Sequence, residues 1–256
     1  MIHRTAIIDP KARLDADVQV GAYSVIGPDV SLAKGNILHS HVTIQGKTTL
    51  GEGNELFPFV VLGTPAQDLK AKVGEGALEI GAHNIIREHC SVHLSNSSKE
   101  KTQIGNYNFI MGGSHVGHNC RLGDYVILTQ GTGLSGHVMV EDYAVVGGQA
   151  GVHQYVRIGR HAMVAGKAAV INDVPPFAQV RGIPARFAGL NEVALKRGNF
   201  SPHVLEYLTQ AFRLLYSDGS NLQEAIGKII AQVPQEKEIG ALVDFLKGCQ
   251  RGICKP

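Results

Sequence analysis

The chain has no tryptophan, and only 6% of its 256 residues are aromatic. Its interior must therefore be filled by aliphatic side chains, with no space built around an indole. Cysteine is scarce too. The four residues, at 90, 120, 249 and 254, include no C-x-x-C pair of the kind that holds a metal. Neither sign of charge is in excess: 24 Lys and Arg stand against 22 Asp and Glu, a net charge of +2. That balance excludes nucleic acid as an expected partner. No apolar run approaches the ~18 residues of a membrane-spanning helix. The N-terminus also lacks the charged-then-apolar stretch of a secretory signal. A cytoplasmic location is the expectation, with Cys90 and Cys120 as inert core thiols in a reducing compartment.

What the sequence does have is a period. From Ile2 to Val170 every sixth residue forms one unbroken register of 29 positions, and Ile, Leu or Val fills 26 of them. The exceptions are Asp68, Gly74 and Ser98. Six matches neither the 3.6 of a helix nor the alternation of a half-buried strand. It does match a chain that makes a short strand, turns a corner and repeats, which is the signature of a parallel β-helix. Three hexads would close one triangular turn of 18 residues, each turn rising by roughly 4.8 Å. The 31 glycines suit the corners of such a coil. The fold class expected is an all-β solenoid over residues 1–176, followed by a connector and C-terminal helical domain over 177–256.

Two polar stretches, 64–79 and 94–103, read as loops extruded from a corner, and loops on rigid scaffolds commonly carry function. The period stops at Val174-Pro175-Pro176, where a double proline ends regular pairing. Beyond it the pattern is helical. Ser201-Pro202 predicts one helix start, Asn221 with Glu224 predicts a capping box, and Ile239, Leu242, Val243 and Leu246 belong to a last helix. These helices would cover the end of the coil or pack on a neighbouring subunit.

Stacking in steps of 18 turns sequence into geometry. His118 falls over Gly136, and Gly136 over Gln154. His137 lies one place beyond Gly136, and His153 one place before Gln154. Three imidazoles and an amide thus share one corner strip spanning roughly 10 Å, with His115 at its border. A single His is usually a solvated or hydrogen-bonded surface residue, but three on one strip beside a glycine point to a site. A His near its ordinary pKa can act as a general base at neutral pH, and the Gly136 N–H could face a developing oxyanion. The arrangement permits acyl transfer. It equally permits a zinc site, since three imidazoles are a common zinc set.

These residues resemble a known family. The segments Ser114-His115-Val116-Gly117-His118-Asn119-Cys120, Leu134-Ser135-Gly136-His137 and Gly151-Val152-His153-Gln154-Tyr155 are similar to those of acyl-ACP–UDP-N-acetylglucosamine O-acyltransferases, which begin lipid A synthesis. Gln67-Asp68-Leu69-Lys70, Asp173-Val174-Pro175-Pro176, Gly189-Leu190-Asn191 and Leu195-Lys196-Arg197 extend the resemblance over essentially the whole chain. It implies a left-handed coil, against the usual right-handed crossover, assembled as a homotrimer with active sites between subunits. The implied reaction moves an (R)-3-hydroxyacyl group from acyl carrier protein to the 3-hydroxyl of UDP-N-acetylglucosamine. No cofactor is implied beyond the carrier's phosphopantetheine.

By the same resemblance His118 is the general base and the Gly136 amide the oxyanion donor. Asp68 and Lys70 would contact the sugar, and His115, His137, His153 and Gln154 would line the substrate cleft. Asn191 and Arg197 would hold the nucleotide, and Met163 and Gly166 would border the acyl groove, there suggesting a long chain. Asn119 departs from the family's usual Asp after the base. Val193 and Gly198 depart from its tail motif, and Gly182-Ile183-Pro184-Ala185-Arg186 is closer to general hexapeptide acetyltransferases.

The competing readings are acyl transfer to a related nucleotide amino-sugar, a trimeric zinc hydratase resembling γ-class carbonic anhydrases, and a non-catalytic homologue. The related N-acyltransferase carries an added N-terminal domain, whereas here the coil begins at residue 2. Arg121 and Arg157, one column two turns apart, are candidates for docking an acidic carrier protein.

Overall fold

The computed structural model of the chain describes residues 1–71, 75–217 and 221–256. Its strands are two to five residues long and line up as three flat sheets of nine, eight and ten strands. The sheets are the faces of a triangular prism, a left-handed parallel β-helix of about ten turns. One turn shows the plan. His115–Val116 lies on the first face, Arg121–Leu122 on the second and Ile127–Leu128 on the third. The next turn repeats it 18 residues on, with Val116 beside Leu134, Leu122 beside Val140 and Leu128 beside Val146. In the stacked turns the register residues point inward, and Leu56, Ile86, Ile110, Leu128 and Val146 are fully buried. Burying one such side chain contributes roughly 1.5–3 kcal/mol, so the repeated column holds the coil together. Cys90 and Cys120 lie in this core, where burial pushes their thiols up to about 11 and about 12. The strand gaps on the third face are bridged by a buried ladder: the Asn54 and Asn84 amides each donate to the asparagine Oδ1 one turn below.

The two loops explain an oddity of the period. On the first face Leu62 pairs with Val92, and Val92 with Val116. Those steps are 30 and 24 residues, in place of 18. The insertions are therefore twelve and six residues long, both multiples of the hexad, and the aliphatic register passes through them undisturbed. Asp68 and Ser98 break the register because they occupy the inserted stretches, where no inward column exists. The exception at Gly74, with the rest of 72–74, lies outside the described residues.

The coil also runs further than the double proline suggests. Ala178–Arg181 joins the third face, pairing in parallel with Met163 and Val164 at a step of 16. Arg186–Leu190 then folds back beside it as an antiparallel strand. Pro175 and Pro176 shorten one turn without closing the sheet.

Among the described residues four helices follow: α1 Glu192–Arg197, α2 Pro202–Leu215, α3 Leu222–Gln232 and α4 Lys237–Lys247. Ser201 caps α2 ahead of Pro202, and Asn221 and Glu224 form the expected reciprocal box at α3. The last three helices bury Leu208, Phe212, Ile229, Leu242 and Leu246 among themselves and against the coil. Arg157 joins the layers, with its guanidinium 4.2 Å over the Phe245 ring and donating to the Phe245 carbonyl at 3.2 Å. No helix among the described residues is long and apolar enough to cross a membrane.

Candidate functional site

The corner between the first and second faces carries His118 and Asn119, then Gly136 and His137 one turn on, then Gln154 and Tyr155. The stacking expected from the 18-residue step is present: the His137 N–H donates to the His118 carbonyl, and the Tyr155 N–H to that of Gly136. Asn119, His137 and Tyr155 all have φ near +60°, a left-handed conformation that Asn and His tolerate better than most residues. The His118 ring packs closely against Gly136. A Cβ added to Gly136 would stand 2.5 Å from the ring's Nε2 and Cε1, so glycine is required there for this packing and not for its φ.

Around His118 a hydrogen-bond network joins the corner to both loops. The Asn119 Oδ1 accepts from the Asn96 backbone N–H at 3.0 Å, and lies 2.9 Å from the His118 Nδ1. The Asn119 Nδ2 donates to the Glu100 carboxylate at 2.6 Å. A backbone N–H can only donate and a carboxylate can only accept, which fixes which way the Asn119 amide points. It follows that His118 Nδ1 carries the proton and donates to Asn119. Nε2, over Gly136, keeps the lone pair. The Asn96 side chain in turn donates to Asp68 at 3.0 Å, and Asp68 also accepts from the Lys70 backbone at 2.9 Å. The Lys70 N–H and the Asn96 amide, with help from His118 and the Lys70 charge, hold the Asp68 carboxyl below the usual carboxylate range. One chain of contacts thus runs from the first loop through the second to His118.

The imidazoles extend further than sequence arithmetic indicates. His118 and His137 meet edge to face at 5.3 Å, and His137 stacks on Tyr155 at 4.5 Å. His137 Nδ1 lies 3.7 Å from Glu100. Burial, then the nearby His118, keeps His137 below its ordinary pKa against the opposing pull of Glu100 and Asp68. His115 accompanies them, 3.0 Å from the Ser91 hydroxyl, and burial followed by His93 and His118 lowers its pKa. His93 is 5.1 Å from His115, and a step of 18 does not reveal it, because the six-residue insertion shifts it off that grid. Asn96 and Glu100 escape the same arithmetic: they reach the corner through loop conformation, which periodicity does not encode. His153 is exposed and sits over Ser135, its Nδ1–H donating to the Gln154 carbonyl at 3.1 Å. The ring stacked on His137 is Tyr155, not His153.

Asn191 and Arg197 are elsewhere in the chain. They line a cleft of about 880 Å³ against the third face, with Tyr125, Tyr143, His161 and Met163 among its walls. Asn191 is mostly buried and caps α1 by accepting from the Ala194 N–H, while its amide donates to the His161 carbonyl at 2.8 Å. The corner between the second and third faces carries a ladder: Tyr107, Tyr125, Tyr143 and His161 stack at 4.8–5.0 Å. These four are spaced by 18, so the arithmetic used for the histidines would have found them. Gly166 lies at the remaining corner, between the third and first faces, and is exposed. The candidate residues of one chain are therefore spread over all three corners. Of the two docking arginines, Arg157 is committed to α4 and to Glu141 at 3.7 Å, leaving Arg121 exposed in that column. Among the described residues of one chain no three His, Cys, Asp or Glu side chains converge as a metal site.

Known proteins share this architecture. Residues 173–254 match the second domain of UDP-N-acetylglucosamine O-acyltransferases, and residues 101–136 match the bacterial transferase hexapeptide of six repeats. The acyl-[acyl-carrier-protein]–UDP-N-acetylglucosamine O-acyltransferase of Thermodesulfovibrio yellowstonii is 42% identical, covering 99% of either chain. That of Azorhizobium caulinodans is 48% identical, over 98% of this chain and 96% of its own. The UDP-N-acetylglucosamine acyltransferase of Bacteroides fragilis superposes with a TM-score of 0.96 at 32% identity over the full length of both chains. The corresponding Acinetobacter baumannii structure does so with 0.96 at 39%, covering 99% of each. By descent and by architecture, the chain belongs to the acyl-[acyl-carrier-protein]–UDP-N-acetylglucosamine O-acyltransferase family.

Proposed function

We infer that the protein transfers an (R)-3-hydroxyacyl group from acyl carrier protein to the 3-hydroxyl of UDP-N-acetylglucosamine, the opening step of lipid A synthesis, with His118 as general base. The observation that carries this reading is the fixed His118 tautomer, with its Nε2 lone pair over Gly136. In the reaction, Nε2 takes the proton of the sugar hydroxyl as the oxygen attacks the thioester carbonyl. The Gly136 N–H stabilises the tetrahedral oxyanion. Collapse breaks the C–S bond, and the imidazolium returns its proton to the departing thiolate of the carrier. No resident cofactor takes part.

Charged Asp68, with Lys70, faces the sugar, and His115, His137, His153 and Gln154 line the surrounding cleft. Arg197 suits the diphosphate, because a guanidinium can donate two parallel hydrogen bonds to phosphate oxygens. Asn191 places the start of α1 beside it, and Met163 and Gly166 border the acyl chain. These groups lie at different corners of one chain, which favours a homotrimer whose sites are completed across the subunit boundary. A cytoplasmic location is part of the same proposal.

The test is an acyl-transfer assay of purified protein with UDP-N-acetylglucosamine and a panel of 3-hydroxyacyl carrier proteins, read by mass spectrometry. Formation of a singly O-acylated UDP-sugar is expected. Turnover only with a 3-amino sugar nucleotide, or no turnover with any donor, would contradict the reading.

A further inference from the structure

The chemistry at His118 has a gap that the second loop fills. A base that gains a proton in the transition state works best beside a negative charge, which orients the ring and stabilises the imidazolium. The direct partner of His118 Nδ1 is the neutral amide of Asn119, at 2.9 Å. On the far side of that amide, 2.6 Å from its Nδ2, is the Glu100 carboxylate. Asn119 is 4% exposed and clamped by four contacts: its backbone N–H donates to Thr102 Oγ1 at 2.8 Å, its Oδ1 takes the Asn96 N–H and the His118 N–H, and its Nδ2 gives to Glu100. A carboxylate accepting from the Nδ2 side polarises the amide and leaves more negative charge on the Oδ1 that faces the imidazole.

We propose that Glu100 is a positioning residue for His118: it acts through the Asn119 amide, holding the imidazole in its base tautomer and supplying the negative charge that Asn119 lacks. The proposal deepens the reading of His118 as general base and rests on it. The other charged or titratable groups around His118 come from three elements. Asp68 and Lys70 belong to the first loop, His115 to the first-face strand and His137 to the next turn. Only Glu100 is hydrogen-bonded to the amide that holds the ring, and it also lies 3.7 Å from His137.

The experiment compares wild type, Glu100→Gln, the double variant Glu100→Gln/Asn119→Asp, and His118→Ala, each assayed for kcat, KM and the pH dependence of kcat/KM. Glu100→Gln keeps the shape of the side chain and removes the charge. It should lower kcat about 10-fold with KM for the nucleotide sugar within about twofold, and it should move the acid limb to lower pH, since losing a nearby negative charge disfavours the imidazolium. The double variant moves the carboxylate onto residue 119, where the amide introduced at position 100 can donate to it. It should bring kcat back to within about threefold of wild type and return the acid limb to the wild-type pH or above. An unchanged kcat and acid limb in Glu100→Gln would overturn the proposal. So would a loss of kcat without movement of the acid limb and without rescue, because that is the behaviour of a loop staple. If His118→Ala is inactive in either case, only the role of Glu100 falls. If His118→Ala turns over normally, the base assignment itself falls.

Discussion

Two corners of the same prism, built by the same repeat, have become different devices. At the corner between the second and third faces, Tyr107, Tyr125, Tyr143 and His161 stack on one another at regular intervals. Tyr107, Tyr125 and Tyr143 are about half exposed, and Tyr125, Tyr143 and His161 line the cleft that also holds Asn191. At the corner between the first and second faces the column is mixed: Asn119, then His137, then Tyr155, with His118 packed on Gly136. Both loops end there, and Asn96 and Glu100 of the second fix the imidazole's proton on Nδ1. The coil supplies position at either corner, and the second loop adds the contacts that orient His118 at one of them. In the proposed function one corner binds substrate and the other does the chemistry.

Substitutions should separate the two, starting with the largest effect. His118→Ala is expected to cut kcat by about 10³-fold or more with no change in oligomeric mass, checked by steady-state kinetics and light scattering. Comparable kcat would move the chemistry away from this corner. Gly136→Ala puts a methyl against the imidazole ring and should lower kcat about 100-fold, since a shift of roughly 1 Å in a catalytic group costs on that order. Its crystal structure should show the His118 ring displaced. Asp68→Ala should raise KM for the nucleotide sugar or lower kcat/KM by about 10-fold, read from initial rates at varied sugar concentration.

Acid should weaken both corners, because burial lowers the pKa of His161 in the tyrosine ladder as it does that of His115. Burial holds the folded-state pKa of His115 below its ordinary value, so the unfolded chain takes up a proton more readily. The stability contributed by neutral His115 is complete above about pH 6.5 and is lost as the pH falls below it. A melting temperature a few degrees lower at pH 5.5 than at pH 7.5 is expected, with a smaller difference in His115→Gln. The smallest effect should come from Tyr107→Ala, which removes a half-exposed ring stacked between His83 and Tyr125 and outside the cleft. A loss of about 1 kcal/mol in stability with kcat within twofold would fit a ladder that is structural at that level.

The hexad period was enough to reveal the coil, its step and the stacking of His118 on Gly136, because each inward aliphatic residue repeats one physical requirement. It survived even two insertions, since both are whole numbers of hexads. What it could not reveal was anything set by loop conformation. Glu100 and Asn96 meet Asn119 only because of how the second loop folds, and His93 falls off the 18-step grid at that insertion. The strand Ala178–Arg181 was hidden behind Pro175-Pro176, where a shortened turn resembles a stop. Nor could the period show that Asn191 and Arg197 line a cleft at another corner, because they lie past the repeat, on the strand and helix that follow it.

The division between corners is tested most directly by mixing chains. Co-expressed His118→Ala and Arg197→Glu subunits, each inactive alone, should form mixed trimers in which about a quarter of the sites pair an intact His118 with an intact Arg197 of the next subunit. Recovery of acyl transfer near that fraction is the expected result. Mixed trimers as inactive as either parent would show that each chain carries its own complete site, contradicting a reaction shared between two corners of two chains.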